Sequence, residues 1–193
     1  MRLFLLPVLF PFLLLFLLAP RAAKANSSSH AADQLLADIY QISSLLSSLG
    51  RQLTPLAITP APPASTIQAI RSSMQQTTAQ IAASSRSAAA AQPFDDAASA
   101  AIANAIADLK DAAFAVLDVL ESRRMVFDAT SAGALGFVSA RRFVRTDLLA
   151  LREATTAFGS NLMGKMVKGV RIAAPLVVGD LHWHFTRVVD VMS

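Results

Sequence analysis

A chain of 193 residues with no cysteine excludes disulfides, thiolate zinc sites and cysteine nucleophiles, so packing alone must hold the fold together. Seventeen basic and thirteen acidic residues give a net charge of +4, but Arg2, Arg21 and Lys24 all lie in the first 25 residues. Without that segment the chain is nearly neutral, which gives a nucleic-acid partner no support.

The first 25 residues have the pattern of a secretory signal peptide. An apolar run from Leu3 to Leu18 is shorter than the roughly 20 residues of a membrane-spanning helix, and its prolines disfavour a stable helix. A small-residue pattern, Ala23-Lys24-Ala25, then predicts cleavage after Ala25. We therefore expect a secreted protein, extracellular or in the cell wall, whose residues 26–193 form one domain. Asn26 begins an Asn-Ser-Ser sequon and is a candidate glycosylation site.

The first two predicted helices are separated by a proline-rich linker. From Ala31 to Leu53, apolar residues recur at steps of three and four, which predicts one amphipathic helix. Four prolines between 54 and about 64 predict the linker. A second helix is expected from Ser65 or Thr66, whose hydroxyl can cap it, to Pro93. Its apolar stripe is thin, since serine, threonine and alanine supply many of its positions.

Three further helices are predicted in the second half of the chain. The third begins near Asp95, which suits a first turn, and continues toward Phe127. After a glycine-rich break, a fourth covers about 137–166. Helical spacing then marks a segment at 181–192, with Pro175 in its first turn. The fold class expected is therefore all-α, a single bundle of about five amphipathic helices without disulfides.

The sequence contains no recognisable catalytic set. No Gly-x-Ser-x-Gly turn or phosphate-binding glycine loop is present. His182 and His184 would lie about 200° apart on a helix, although on a strand they could converge with Asp180 or Asp190. Since the segment has helical spacing, we expect no metal site, no cofactor and no enzyme.

Arginines cluster on the fourth predicted helix, at Arg141, Arg142, Arg145 and Arg152. The simplest interpretation is a solvated face that meets acidic residues of the third helix, such as Asp118. The alternative is contact with an anionic lipid head group or polysaccharide.

The chain as a whole resembles the fungal hydrophobic surface-binding protein A family, which is related to cell-wall galactomannoproteins. The resemblance covers about residues 33–192. It rests on a cysteine-free, Ala/Ser/Leu-rich helical chain and on spaced residues in its second half: Leu109, Val116-Leu117, Leu120, Arg123–Ala129, Leu148–Arg152 and Thr155–Phe158. Two stretches depart from the family pattern. Residues 133–142 suggest an insertion or a gene-model error, and Lys165–Trp183 is unusually glycine-rich and basic.

The resemblance implies a non-catalytic protein that binds hydrophobic surfaces or fatty-acid-like lipids, with a secreted hydrolase or cell-wall polysaccharide as a further partner. The alternative is a structural mannoprotein that carries glycans at Asn26 and on its second helix. For the first hypothesis, Arg145 or Arg152 is the candidate partner of a lipid carboxylate. The candidate lipid-binding residues are the inward aliphatic and aromatic positions of the helices: Ile39, Ile42, Leu46, Leu109, Val116, Leu120, Leu148, Leu151, Phe158 and Leu162.

Overall fold

The computed structural model describes residues 9–57, 62–129 and 139–193, with side chains from Ser29 onward except those of residues 173 and 174. Its described residues form helices and no strand, so the all-α prediction is confirmed. The chain has no cysteine to form a disulfide. The helices are α1 (Leu9–Leu53), α2 (Ala64–Ala90), α3 (Asp96–Ser122), α4 (Arg124–Ala129), α5 (Ala140–Met163) and α6 (Lys168–Val191).

The long helices pack as a bundle around one apolar core. α2 packs most extensively on α5, α1 packs on α3 and α2, and α6 packs on α3 and α5. Aliphatic positions spaced by three and four supply the core on each helix, with Phe127 of the short α4 fully buried beside them. Short connections such as residues 164–167 between α5 and α6 make neighbouring helices antiparallel.

Buried polar side chains on α2 and α5 are satisfied within the bundle. Asp147 of α5 accepts hydrogen bonds from Arg71 Nε and Gln75 Nε2 of α2, both at 3.2 Å. Asn161 Nδ2 donates to the hydroxyl of Ser85 at 2.9 Å. These pairs fix the register of α2 on α5, where the apolar stripe of α2 is thin.

Several helix ends differ from the sequence-based predictions. α2 begins at Ala64 after Pro63, which has no side-chain acceptor, so the predicted hydroxyl cap is wrong. α3 ends at Ser122 and α4 follows as a separate short helix, whereas one helix toward Phe127 was expected. α6 begins at Lys168, which places Pro175 inside the helix and not in its first turn. Residues at 168–174 can continue a helix because their propensities, glycine apart, do not oppose it.

The N-terminal region is helical from Leu9 and includes Pro11 and Pro20, although the prolines of the apolar run were expected to disfavour a helix. Pro7, the other proline of that run, lies outside the described residues. Pro11 falls in the first turn, where a missing amide donor breaks no intrahelical hydrogen bond. Within the described ranges, no helix is both long enough and apolar enough to cross a membrane. Most of the predicted insertion at 133–142 lies outside the described residues. Its last part is Ser139, which caps α5, followed by the first turn of that helix.

Candidate functional site

An apolar cavity of about 150 Å³ lies between α3, α5 and α6 and opens partly to solvent. Three long helices and their connection contribute to its wall. The lining residues are Ala103, Ile106 and Leu109 of α3; Arg152, Thr155, Thr156, Phe158, Gly159, Leu162 and Met163 of α5; Met166; and Val170, Val177, Val178, Leu181, His182 and Phe185 of α6.

Small residues create the space inside this cavity. Ala103 stands on α3 where a larger side chain would extend into the interior. Gly159 lets α5 and α6 approach closely, since a Cβ atom at this position would lie 3.2 Å from Cγ2 of Val178. The cavity lies beside this close contact, with Gly159 and Val178 both in its wall.

Two threonines in the wall direct their hydroxyl hydrogens back into their own helix. Thr155 Oγ1 donates to the carbonyl of Leu151 at 2.8 Å, and Thr156 Oγ1 donates to the carbonyl of Arg152 at 2.9 Å. Such back-bonding uses the donor of each hydroxyl. The cavity surface is consequently almost entirely apolar despite its two threonines.

Arg152 and His182 are the ionisable side chains of the wall. Gly159 faces Val178 and the two helices run antiparallel, so Arg152 and His182 both lie toward the same end of the cavity, beyond that contact. Within the described part of the chain, the side chain of Arg152 forms no ion pair and donates no hydrogen bond. The cavity thus has a cation at one end, next to an otherwise apolar interior.

The ten predicted lipid-binding residues divide into two groups. Leu109, Phe158 and Leu162 line the cavity. The other seven lie elsewhere in the packed core and are almost completely buried: Ile39, Ile42, Leu46, Val116, Leu120, Leu148 and Leu151. Helical periodicity identifies inward-facing positions, but it does not distinguish a filled interior from a hollow one.

The two candidate head-group arginines are also separated by the structure. Arg152 is on the cavity wall, whereas Arg145 Nε donates to Ser193 Oγ at 3.2 Å and does not line the cavity. Asn26 falls in the backbone of α1 among residues whose side chains are not described. Sequence reasoning missed the α6 wall from Val170 to Val178, although the steps from Val170 through Val177 and Leu181 to Phe185 are helical.

The remaining ionic contacts differ from those predicted for the arginine cluster. Asp118 and Glu121 of α3 bind Arg187 of α6, at 2.7 and 2.8 Å, and not the arginines of α5. The sequence did not indicate Arg187 of α6 as the partner, because apolar spacing at 181–192 predicts a helix but not which acidic residues its polar side chains meet. Arg141 instead pairs with Asp128 at 3.0 Å.

The two neighbouring histidines point to different surroundings because their segment is helical. His184 stacks on Phe114 at 3.9 Å between ring centroids, whereas His182 faces the cavity. Across the described ranges, no group of three histidine, aspartate or glutamate side chains is placed to hold a metal ion.

The chain therefore belongs to the class of cysteine-free helical bundles with an apolar cavity between their helices. The model of the family hydrophobic surface binding protein A matches residues 32–164, more than half of the chain, and the protein belongs to this family. The resemblance inferred from the sequence is thereby confirmed. The family match and the structural neighbours described below concern binding proteins, not enzymes.

Solved structures with the same fold are similar along most of the chain. The structure of Afmp4p in complex with palmitic acid has a TM-score of 0.75 at 21% identity, covering 84% of this chain and 99% of that one. Ligand binding domain 1 of Penicillium marneffei MP1 protein, complexed with arachidonic acids, has a TM-score of 0.71 at 8% identity, with coverage of 86% and 99%. Domain 2 of the same protein, complexed with multiple arachidonic acids, has a TM-score of 0.69 at 11% identity, with coverage of 85% and 95%. No curated protein matches the chain in sequence.

Proposed function

We propose that this protein binds fatty acids without catalysis, with the acyl chain in the cavity between α3, α5 and α6 and the carboxylate at Arg152. The observation that carries the proposal is the cavity itself, which is almost entirely apolar and has Arg152 and His182 as the ionisable side chains of its wall. The fatty acids bound by proteins of the same fold support the ligand class.

The size of the cavity limits how an acyl chain can enter. A dry cavity of about 150 Å³ holds a molecule the size of benzene, roughly six carbons. A longer chain needs more room, which is present where the cavity adjoins an outer groove lined by Pro175, Gly179 and Trp183. α6 can yield at this point, because Pro175 lacks an amide donor and the position that a Cβ atom of Gly179 would occupy meets nothing within 4 Å.

The proposed position of the fatty-acid carboxylate rests on the positive charge of Arg152. A charged hydrogen bond between guanidinium and carboxylate contributes about 1.5–3 kcal/mol, and less where water reaches the pair. Arg152 is half-buried and forms no ion pair within the described residues, so its guanidinium is available to a ligand. Within this proposal, a secreted hydrolase or a cell-wall polysaccharide would be a second partner, held outside the cavity.

The first experiment fills the cavity. Ala103→Leu adds a side chain to the cavity wall, whereas Ala107→Leu makes the same change on the exposed face of α3. With palmitate as the probe, native mass spectrometry of delipidated protein should show at least about a tenfold loss of affinity for the first variant, about 1.4 kcal/mol. The second variant should bind as the wild type does. Equal affinities in two folded variants would reject this cavity as the site.

The second experiment removes the charge. Arg152→Gln should weaken palmitate binding by about tenfold and leave methyl palmitate unaffected, because the ester carries no charge. Arg145→Gln is the matched control, since Arg145 lies outside the cavity. If Arg145→Gln causes the larger loss, the carboxylate site is misplaced. If the wild type binds neither ligand and does not adsorb to a hydrophobic solid, the glycan-carrying mannoprotein becomes the better hypothesis.

The place of action is part of the proposal. We propose that residues 1–25 direct secretion, that cleavage follows Ala25, and that the product acts outside the cell or in the cell wall. The support is the apolar run from Leu3 to Leu18 followed by Ala23-Lys24-Ala25. N-terminal sequencing of protein from culture medium should begin at Asn26, and a chain that retains Leu3–Leu18 would overturn the assignment.

A further inference from the structure

The outer side of α6 has an apolar surface that faces away from the bundle. Ile172, Leu176 and Trp183 are 72%, 74% and 59% exposed. At 100° per residue, these three positions fall within a strip about 40° wide along the helix. Exposed hydrophobic residues are ordinary when scattered, but three of them aligned on one helix face make a candidate interaction surface.

Basic residues outnumber acidic residues beside this strip. Lys168 and Arg171 are exposed at the start of α6, and Asp180, which is also exposed, lies between Leu176 and Trp183. Neither basic side chain forms an ion pair or a hydrogen bond in the described part of the structure. Cations beside leucine, isoleucine and tryptophan on one helix are typical of helices that lie in a lipid interface.

The same surface adjoins the mouth of the cavity. The outer groove, lined by Pro175, Gly179 and Trp183, shares Met163, Val178 and His182 with the cavity. A lipid that enters from this side therefore passes directly from the surface of α6 into the apolar interior.

We propose that the α6 face, defined as Ile172, Leu176 and Trp183 with Lys168 and Arg171, docks on the surface of an anionic lipid bilayer and passes fatty acids between bilayer and cavity. The transfer step rests on the proposed function. A bilayer suits this face because the face adjoins the opening of the cavity, and because its two cations outnumber Asp180. Lipid phosphates attract these cations.

Trp183 is the only tryptophan of the chain and reports on docking directly. Adding vesicles of phosphatidylcholine and phosphatidylglycerol to the secreted protein should shift its emission to the blue, and brominated lipids should quench it. Vesicles of phosphatidylcholine alone should cause a much smaller shift. An unchanged emission spectrum with anionic vesicles, together with no co-sedimentation, would overturn the proposal.

Paired variants separate this face from other exposed hydrophobic residues. Ile172→Ser with Leu176→Ser should lower vesicle affinity by at least about tenfold, since the apolar area that enters the interface is lost. Tyr40→Ser with Met125→Ser removes two exposed side chains elsewhere and should leave the affinity unchanged. An equal loss in both pairs would contradict a specific role for α6.

Charge variants test the choice of partner. Each cation near an anionic surface is worth about fivefold in affinity, so Lys168→Gln with Arg171→Gln should lower it by roughly 25-fold. Arg51→Gln with Arg86→Gln, which neutralises two exposed arginines elsewhere, should have little effect. A concentration-dependent dimer that the Ile172 and Leu176 variants abolish, with vesicle binding retained, would show that a second copy covers the face.

Palmitate binding in the absence of vesicles separates this proposal from the proposed function. Normal solution binding in the α6 variants, with slow transfer from vesicles, is the expected result. Vesicle docking by a wild type that binds no palmitate would overturn the transfer step and the proposed function, leaving docking alone. Palmitate binding without docking would overturn only the role of the α6 face.

Discussion

The ion pair between Arg71 and Asp147 offers a test of what holds α2 to α5. Their side chains are 21% and 9% exposed, and Nε lies 3.2 Å from the carboxylate. The guanidinium also lies over the ring of Phe143, 4.1 Å from its centroid. Removing one partner of a fully buried pair costs about 3–5 kcal/mol. Because water can reach part of Arg71, we expect Asp147→Ala to lose about 2–3 kcal/mol of unfolding free energy.

Replacing both partners of the ion pair together should restore stability. Arg71→Met with Asp147→Leu replaces both charges by apolar groups, and such replacements of buried pairs are often neutral or stabilising. Urea unfolding followed by far-ultraviolet circular dichroism measures both effects, with Arg71→Met and Asp147→Leu as the two single variants of the cycle. A double variant as unstable as Asp147→Ala, or a single variant within about 0.5 kcal/mol of the wild type, would refute this reasoning.

Three further predictions concern helix packing and the division between cavity and core. At Gly169 an added Cβ atom would meet nothing within 4 Å, so Gly169→Ala should stabilise the protein by up to about 1 kcal/mol. Gly159→Ala should lower the free energy of unfolding by about 1 kcal/mol, because its Cβ atom would crowd α6. Asp95→Ala should cost about 1 kcal/mol in thermal unfolding, since its side chain caps α3. Leu148→Ala should cost about 3–5 kcal/mol without altering palmitate affinity, whereas Leu162→Ala in the cavity wall should change that affinity.

The sequence predicted the bundle well where apolar spacing was strong. α3 and α5 follow from steps of three and four between aliphatic residues, and Asp95 marks the start of α3 as expected. The sequence also indicated that the apolar stripe of α2 is thin. It did not predict the ion pair between Arg71 and Asp147, because long-range ion pairs leave no local pattern. The start of α6 was misplaced, since Gly169 and Pro175 weaken every helical signal around it.

The cavity could not be predicted for a different reason. Ala103 and Gly159 are ordinary residues in a helical sequence, and a side chain of the opposite helix could have filled the space beside either one. Whether space remains depends on the distance between α5 and α6, which the contact of Gly159 with Val178 sets. The ten predicted residues were therefore all inward-facing, yet only those on the α3 and α5 surfaces toward α6 reach the cavity.

The walls of the cavity differ in how they relate to the family. Those from α3 and α5 lie within residues 32–164, which the family model matches, whereas α6 lies beyond that range. α6 also carries the outer groove, the exposed apolar strip and the proline within the helix. The family-matched walls supply an apolar lining with Arg152 at one end. Under the proposed function, the room available to an acyl chain and its route of entry would depend on how α6 sits against α5. Substitutions on α6 are then the direct means of changing both.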